Sequence, residues 1–202
     1  MEQLAPYNHF IGQHLMTHVE GLTVDRAYIA HYVIPVGKAV AADTDYVLAA
    51  TALDADEVTV VTTGITNPPT PRVLSITGNK STAVGDVIIE GTDMAGAELV
   101  ETITSTGDAT VVGTKAFATV TKITLPAFAG AVAEAISVGL ADAFGLPYRL
   151  PYDTIIKMFN GGQVATVVSA TSSFDAVNLS ENYIDPSVAL DPTKQVDVYL
   201  IV

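Results

Sequence analysis

The side chains best suited to metal chemistry are two histidines near the start of the chain. His14 and His18 are four residues apart, so on a helix they would lie on the same face, with Glu20 nearby. A zinc hydrolase motif also needs a glutamate directly after the first histidine, and no third histidine lies at a useful distance, so the sequence lacks both features. We therefore predict polar contacts for this pair and no metal site.

A second group of candidate ligands lies in the segment GTDMAGAELVET. Asp93, Glu98 and Glu101 resemble the acidic ligands of a calcium loop. In such loops oxygen ligands alternate in a fixed register and end in a bidentate carboxylate, whereas here Met94 and Ala95 interrupt the register. The pattern is better explained by a hairpin turn at DMAG.

The remaining candidates for catalysis lack the partners that each reaction requires. The sequence contains no G-x-S-x-G nucleophile motif, and His31 lies in an apolar strand pattern that predicts a buried, hydrogen-bonded side chain. Gly161 and Gly162 lack the strand–loop–helix setting of a phosphate loop. Any two acids could converge as a glycosidase pair, but the chain has no Trp to form a sugar platform. We predict that the protein is not an enzyme and has no catalytic residues, cofactor or metal ion.

Composition favours a β-rich protein stabilised by its core or by assembly. The 202-residue chain is 49% hydrophobic and 7% aromatic, with Ala, Val and Thr abundant. β-branched residues suit pleated surfaces more than helices. Cysteine is absent, which excludes disulfides, thiolate zinc sites and cysteine nucleophiles. The length suits one large domain or two small ones.

The charge of the chain argues against two classes of partner. Twenty-two acidic and nine basic side chains give a net charge of −13. Such a surface repels phosphate backbones and anionic membranes, so we predict no nucleic-acid binding and no membrane association. The acidity suits either simple solubility or display at high density on the exterior of an assembly. The start of the chain lacks a signal-peptide pattern, so we expect synthesis in a cytoplasm.

Residues 1–26 differ from the rest of the chain. They hold three of the four histidines (His9, His14 and His18) and lack strand alternation. Apolar residues recur at helical spacing from Ile11 to Leu22, which is consistent with a short amphipathic helix. The alternative is an N-terminal arm that becomes ordered only against a partner. We assign 1–26 as an interaction arm and leave both conformations open.

From residue 27 onward the pattern is β throughout. Short runs of alternating or β-branched residues are separated by Gly, Asn and Asp turns, and NPPTP at 67–71 is a rigid connector and a candidate subdomain boundary. We predict an all-β domain over 27–202, either a β-sandwich or two packed β-units. The predicted strands are 27–36, 45–53, 57–65, 72–79, 86–93, 98–106, 115–126, 135–150, 153–160, 163–170 and 195–202, with a loop over 171–194.

The last strand predicts self-association. In QVDVYLIV, Val198 and Leu200 share one face while Tyr199 and Ile201 share the other, so both faces are apolar. A simple two-layer monomer would leave one of these faces exposed. A strand that runs to the last residue is normally paired inside a sheet or against a neighbour, and as an edge strand it would need a cover. We therefore predict a homo-oligomer formed through edge strands and this C-terminal strand; its trimeric state is implied only by the family resemblance given next.

The order of motifs over residues 58–150, followed by the C-terminal segment, resembles the head decoration, cement and minor capsid proteins of tailed bacteriophages. The residues that carry the resemblance are PRVLSITGN, GDVIIEGTD, AELVETI, VVGTKAFATVTKITLP, ISVGLADAFGLPYRL and LDPTKQVDVYLIV. They cover about half of the chain, and residues 1–57 contribute nothing to it.

The resemblance implies a structural role on a virion. Proteins of this group are β-rich, are made in the host cytoplasm and attach to the exterior of the expanded capsid, many of them as trimers that clamp neighbouring capsomers. The implied partner is the major capsid protein, and the group has no catalytic residues to transfer. The alternative is a head-fibre or tail module that binds a receptor or a glycan, for which the candidate aromatic residues are Tyr148 and Tyr152, two tyrosines four positions apart.

Overall fold

The computed structural model describes residues 15–16, 19–20, 22–24, 27–127 and 133–202. It confirms the all-β prediction, with 52% of residues in strands. Most of the predicted N-terminal arm, including its three histidines, lies outside the described residues. The strands are β1 Leu15–Met16, β2 Thr23–Val24, β3 Ile29–Ile34, β4 Asp43–Ala52, β5 Thr59–Val61, β6 Arg72–Gly78, β7 Val84–Thr92, β8 Glu98–Thr106, β9 Thr110–Phe117, β10 Thr119–Leu125, β11 Ala135–Gly145, β12 Ile155–Asn160, β13 Gln163–Ala165, β14 Tyr183–Ile184 and β15 Val196–Ile201.

The described strands form three antiparallel sheets and a small N-terminal pair. Sheet I has the order β5-β10-β7-β8. Sheet II has the order β14-β11-β6-β9, with β4 also pairing with β11. Sheet III has the order β13-β12-β15-β3, and β1 pairs with β2. The sheets pack together without closing into a barrel.

Sheets I and II form a sandwich around the larger hydrophobic core. The period-two pattern explains the packing, because β8 buries every second residue, including Leu99 and Ile103, and exposes the residues between them. These side chains meet Leu74 and Ile76 of β6 and Val138 of β11 in one cluster. Burial of so much apolar surface is the main stabilising contribution to this half of the fold.

Sheet III forms a second core with the end of β11. Phe144 and Leu146 pack with Met158 of β12 and with Val198 and Leu200 of β15. Strand β11 therefore contributes to both cores, since its first half packs in the sandwich and its end packs under sheet III. The connector 67–71 joins β5 to β6, which share the sandwich core, while the division into an arm and a β-rich domain stays a prediction.

The predicted strand over 115–126 is wrong in one respect, because it is two strands in two sheets. Strand β9 ends at Phe117 in sheet II, and β10 begins at Thr119 in sheet I. Phe117 and Val120 are both buried although they are three residues apart, which a single strand with period-two alternation would not allow. The chain crosses between the sheets at Ala118, whose N–H donates to the carbonyl of Thr92.

The C-terminal strand is paired inside a sheet, one of the two arrangements that the sequence left open, and it is not an edge strand. β15 lies inside sheet III, where it pairs with β12 on one side and with β3 on the other. Neighbouring strands thus satisfy its backbone groups, and the edges of this sheet are β3 and β13. The two-faced apolar pattern is nevertheless present, because Val198 and Leu200 face the core while Tyr199 and Ile201 point outward.

The predicted loop over 171–194 is held together by one buried asparagine. The side-chain amide of Asn182 donates to the carbonyls of Asp175 and Asn178, and its oxygen accepts hydrogen bonds from the N–H groups of Leu150 and Asp175. All of the hydrogen-bonding capacity of this side chain is therefore used. The loop also contains the short strand β14 and a turn of 3-10 helix over Leu179–Glu181.

Candidate functional site

The acidic residues considered as calcium ligands have separate structural roles. Asp93 begins the turn between β7 and β8, where its carboxylate accepts hydrogen bonds from the N–H groups of Ala95 (2.8 Å) and Ala97 (2.9 Å). This is the hairpin turn that DMAG predicted. Glu98 is exposed, whereas Glu101 is buried on the inner face of the same strand. Within the described part of the chain, no group of three His, Cys, Asp or Glu side chains could hold a metal ion.

His31 is not the buried residue that its apolar surroundings predicted. Its side chain is 43% exposed, on the outer face of sheet III, and its Nε2 lies 2.8 Å from a carboxylate oxygen of Asp197. The expected hydrogen bond is present, but the burial is not. The apolar pattern misled the prediction because this sheet has apolar residues on both of its faces.

The outer face of sheet III carries a row of aromatic rings. The ring of His31 stacks on Tyr199 with a centroid separation of 4.3 Å and an interplanar angle of 5°. Tyr199 in turn meets Phe159 edge-to-face at 6.3 Å, and the Lys157 ammonium lies 4.8 Å from the Phe159 ring centroid. These contacts fix the rings side by side on a rigid sheet.

Aliphatic residues extend this row into a continuous apolar surface. Ile29 is 70% exposed and Ile156 is 52% exposed, and together with Lys157, Phe159 and Tyr199 they line a shallow depression of about 300 Å³. We call this surface the sheet III face, defined by Ile29, His31, Ile156, Lys157, Phe159, Tyr199 and Ile201. Large apolar side chains clustered on a sheet that already buries its other face are typical of an interaction surface.

A second concave surface crosses the face of sheet II that points away from the sandwich core. This sheet II groove has a volume of about 580 Å³. Its floor consists of short side chains from adjacent strands, and its margin carries carboxylates and hydroxyls. The floor residues are Ser75, Val112, Ala141 and Ala143, and the margin residues are Asp43, Thr110, Asp142, Thr171 and Asp185.

A buried arginine holds one wall of the sheet II groove in place. Arg72 is fully buried, and its guanidinium donates from Nε and Nη2 to the carbonyl of Ala141 and from Nη1 to the carbonyl of Val40 (2.5 Å). Burial lowers the pKa of Arg72 to about 10, while the negative charges of Asp142 and Asp185 act in the opposite direction. The side chain therefore stays cationic at neutral pH and ties the segment before β4 to β11.

A glycine lets β4 pass close to the middle of β11. A Cβ at Gly139 would lie 2.0 Å from the carbonyl oxygen of Asp43 and 2.5 Å from the carbonyl carbon of Thr44. Any larger side chain would push this backbone away. The close approach brings Asp43 and Thr44 to the margin of the sheet II groove.

Glu101 is a buried carboxylate at the junction of the two sandwich sheets. Its Oε1 accepts hydrogen bonds from the N–H (2.5 Å) and the hydroxyl (3.0 Å) of Thr114 on β9, and among the described residues its Oε2 has no partner. Burial raises the pKa of Glu101, and the hydrogen bonds from Thr114 offset this only in part. The folded state therefore binds a proton at this site more tightly than the unfolded state does.

We expect Glu101→Gln to stabilise the protein at neutral pH. The pKa of Glu101 is higher in the folded state than in the unfolded state, so protonation of Glu101 stabilises the fold. This contribution to stability is fully present below the unfolded-state pKa and is lost as the pH rises through the folded-state pKa. The free energy of unfolding of the variant should exceed that of the wild type at pH 7, and the difference should shrink on acidification. Denaturant unfolding across a pH series measures it, with exposed Glu98→Gln as the control for loss of one charge. A difference that does not vary with pH would contradict this assignment.

The two tyrosines singled out from the sequence do not form an aromatic groove. Tyr152 is 67% exposed, while Tyr148 is partly buried against the second core. The aromatic residues that do cluster at the surface are His31, Phe159 and Tyr199. Sequence reasoning missed both this cluster and the sheet II groove. A signal for the groove was present in the lone arginine that begins the apolar run of β6.

Comparison with known proteins adds no relative. A scan against protein-family models, a search of curated proteins and a search of solved structures each returned no match. Within the described residues, no helix has the length and apolar character needed to cross a membrane.

Proposed function

We propose that this chain is a virion structural protein that decorates and stabilises a bacteriophage capsid by binding across capsomer boundaries. The observation that carries the proposal is the sheet III face, an exposed apolar and aromatic surface on a rigid all-β scaffold. Such a scaffold offers a fixed shape for contact with other proteins. The motif resemblance to phage decoration proteins supports the same conclusion, and the major capsid protein is the partner that it implies.

The sheet III face is suited to contact between copies of the chain. Lys157 and Asp197 contribute one charge of each sign to this side of the sheet, although the whole chain carries a net charge of −13. Two acidic molecules approach each other with least repulsion through surfaces that are close to neutral. A closed homo-oligomer, for which the motif resemblance implies a trimer, would cover Ile29 and Ile156 and leave the acidic surfaces outside.

Stabilisation of the shell would follow from mass action. A protein that binds the assembled capsid and not its separated subunits shifts the equilibrium toward the assembled state. Such a protein requires a rigid contact surface and no catalytic group. The acidic exterior would also keep the many bound copies from aggregating with one another.

Mixing the purified protein with empty, expanded shells of the phage that encodes it tests this proposal. We expect saturable binding at a fixed number of copies per capsid protein, measured by co-sedimentation and quantitative gel analysis. The bound shells should also resist heat better than bare shells. Shells that sediment without the protein at micromolar concentration would contradict the proposal.

The predicted oligomer is tested by Ile156→Asp. We expect the wild type to sediment as a trimer at micromolar concentration and this variant to sediment as a monomer with an unchanged circular dichroism spectrum, because a charge would then have to be buried at the interface. Val177→Asp is the matched control, since Val177 is 72% exposed and lies in the loop before the 3-10 turn. A monomeric wild type, or a variant with the wild-type mass, would contradict this use of the sheet III face.

A head-fibre or tail module that binds a receptor or a glycan is the second candidate. The row of His31, Tyr199 and Phe159 favours it, because partly exposed aromatic rings are common platforms for sugars. Saturable binding to polysaccharide from the host surface, in the absence of binding to shells, would support this alternative.

A further inference from the structure

The sheet II groove has the shape of a channel for a long, narrow side chain. Its floor comes from Ser75 of β6, Val112 of β9, and Ala141 and Ala143 of β11, which lie on the same face of the sheet. Short side chains on four neighbouring positions leave the volume of about 580 Å³ open above an apolar floor. An aliphatic stem gains free energy by lying on such a floor.

The margin of the sheet II groove is negative, and its carboxylates are held in place. An oxygen of Asp142 accepts a hydrogen bond from the N–H of Ala42 (3.2 Å), and an oxygen of Asp185 accepts one from the hydroxyl of Thr171 (2.6 Å). Asp43 is the third carboxylate at this margin. The three do not converge on one point, since no group of three acidic or histidine ligands among the described residues could hold a metal ion. The margin is therefore negative without forming a metal site among the described residues.

Charge at the groove favours a cationic occupant. The guanidinium of Arg72 donates its hydrogen bonds to the carbonyls of Ala141 and Val40. The groove therefore has three carboxylates at its margin and one buried cation beneath it, which leaves its charge negative. The net charge of −13 on the chain adds a long-range attraction for a basic group. A planar guanidinium can donate to two carboxylates at once, which a compact ammonium does less well.

We propose that the sheet II groove binds an arginine side chain of a protein partner, with the aliphatic stem on the alanine floor and the guanidinium between the carboxylates of the margin. Identifying that partner as the major capsid protein rests on the proposed function. The preference of the groove for a guanidinium does not rest on the proposed function, because it follows from the shape and charge of this chain alone.

A titration with N-acetyl-arginine N-methylamide, followed by the amide resonances of the full chain, tests the groove itself. We expect saturable shifts at Val112, Ala141 and Ala143 that weaken as salt is raised, and no such shifts with the glutamine analogue. Asp43→Asn and Asp185→Asn should each weaken binding by about three- to tenfold.

Asp86→Asn is the matched control for Asp185→Asn. Asp86 lies on sheet I and, like Asp185, accepts a hydrogen bond of 2.6 Å from a threonine hydroxyl, here that of Thr104. The control should bind the probe as the wild type does. Asp185→Asn could destabilise the fold through its effect on Arg72, and changes throughout the amide spectrum would reveal this. In that case the affinity of Asp43→Asn for the probe is the test of the groove. Absent shifts, equal shifts with the glutamine analogue, or equal affinity of Asp43→Asn and Asp86→Asn would overturn the proposal.

The same variants separate this inference from the proposed function. If shells bind the wild type and Asp43→Asn equally well, the capsid contact lies elsewhere and the capsid arginine is excluded as the occupant. If the probe binds in the groove but shells do not bind the protein, the proposed function fails and the arginine site remains.

Discussion

Replacement of Arg72 by methionine is expected to lower the free energy of unfolding by about 2–4 kcal/mol, because two carbonyls in a buried setting would lose their hydrogen-bond donor. Methionine fills much of the same volume but donates no hydrogen bond. The carbonyls of Val40 and Ala141 would lose their donor, and the charges of Asp142 and Asp185 would lose the nearby cation. Denaturant unfolding measures the change.

The control for this prediction is Arg149→Met, which removes an exposed arginine and should change stability by less than about 0.5 kcal/mol. Arg72→Lys keeps the positive charge but cannot donate to both carbonyls in the same way. Its decrease in the free energy of unfolding should therefore fall between the decreases of Arg72→Met and Arg149→Met. Equal stability of Arg72→Met and the wild type would show that the buried guanidinium does not tie the segment before β4 to β11.

Val198→Asp should abolish folding, because it places an unpaired carboxylate in the second core beside Met158 and Leu200, where Val198 is fully buried. The cost of burying an uncompensated charge is several kcal/mol, which is comparable with the whole stability of many domains. We expect insoluble protein, or a soluble chain without the circular dichroism of a β-sheet.

Ile201→Asp provides the matched comparison on the same strand. Ile201 is 40% exposed and lies on the sheet III face, so the new carboxylate would remain hydrated. This variant should fold and should lose self-association, as measured by analytical ultracentrifugation. A folded Val198→Asp together with an unfolded Ile201→Asp would reverse the assignment of the two faces of β15.

Local patterns predicted most of the long strands, although β14 lies in the predicted loop and β9 begins before the strand predicted from residue 115. The alternation in β8 and the turn at Asp93 depend on neighbouring residues alone, so the sequence predicts both. The break at Ala118 was visible in principle, because Phe117 and Val120 cannot face one core from a single regular strand. It was missed because the apolar run continues through it.

Sheet order and concave surfaces depend on contacts between distant parts of the chain. β15 lies between β3 and β12, and its pairing with β3 joins residues more than 160 positions apart, such as His31 and Asp197. Asp142 meets Ala42 across 100 positions to form part of the groove margin. No local spacing rule indicates such pairs. The sequence could therefore leave an interior position open for β15 without identifying its neighbours, and it did not predict the sheet II groove.

Electron cryo-microscopy of empty, expanded shells incubated with the protein tests the central claim most directly. Decoration predicts extra density at every symmetry-equivalent site between capsomers. The sandwich of sheets I and II, together with sheet III, should fit this density without rearrangement. Shells without extra density would contradict the account, as would protein found only at a single vertex, the position expected of a tail or fibre component.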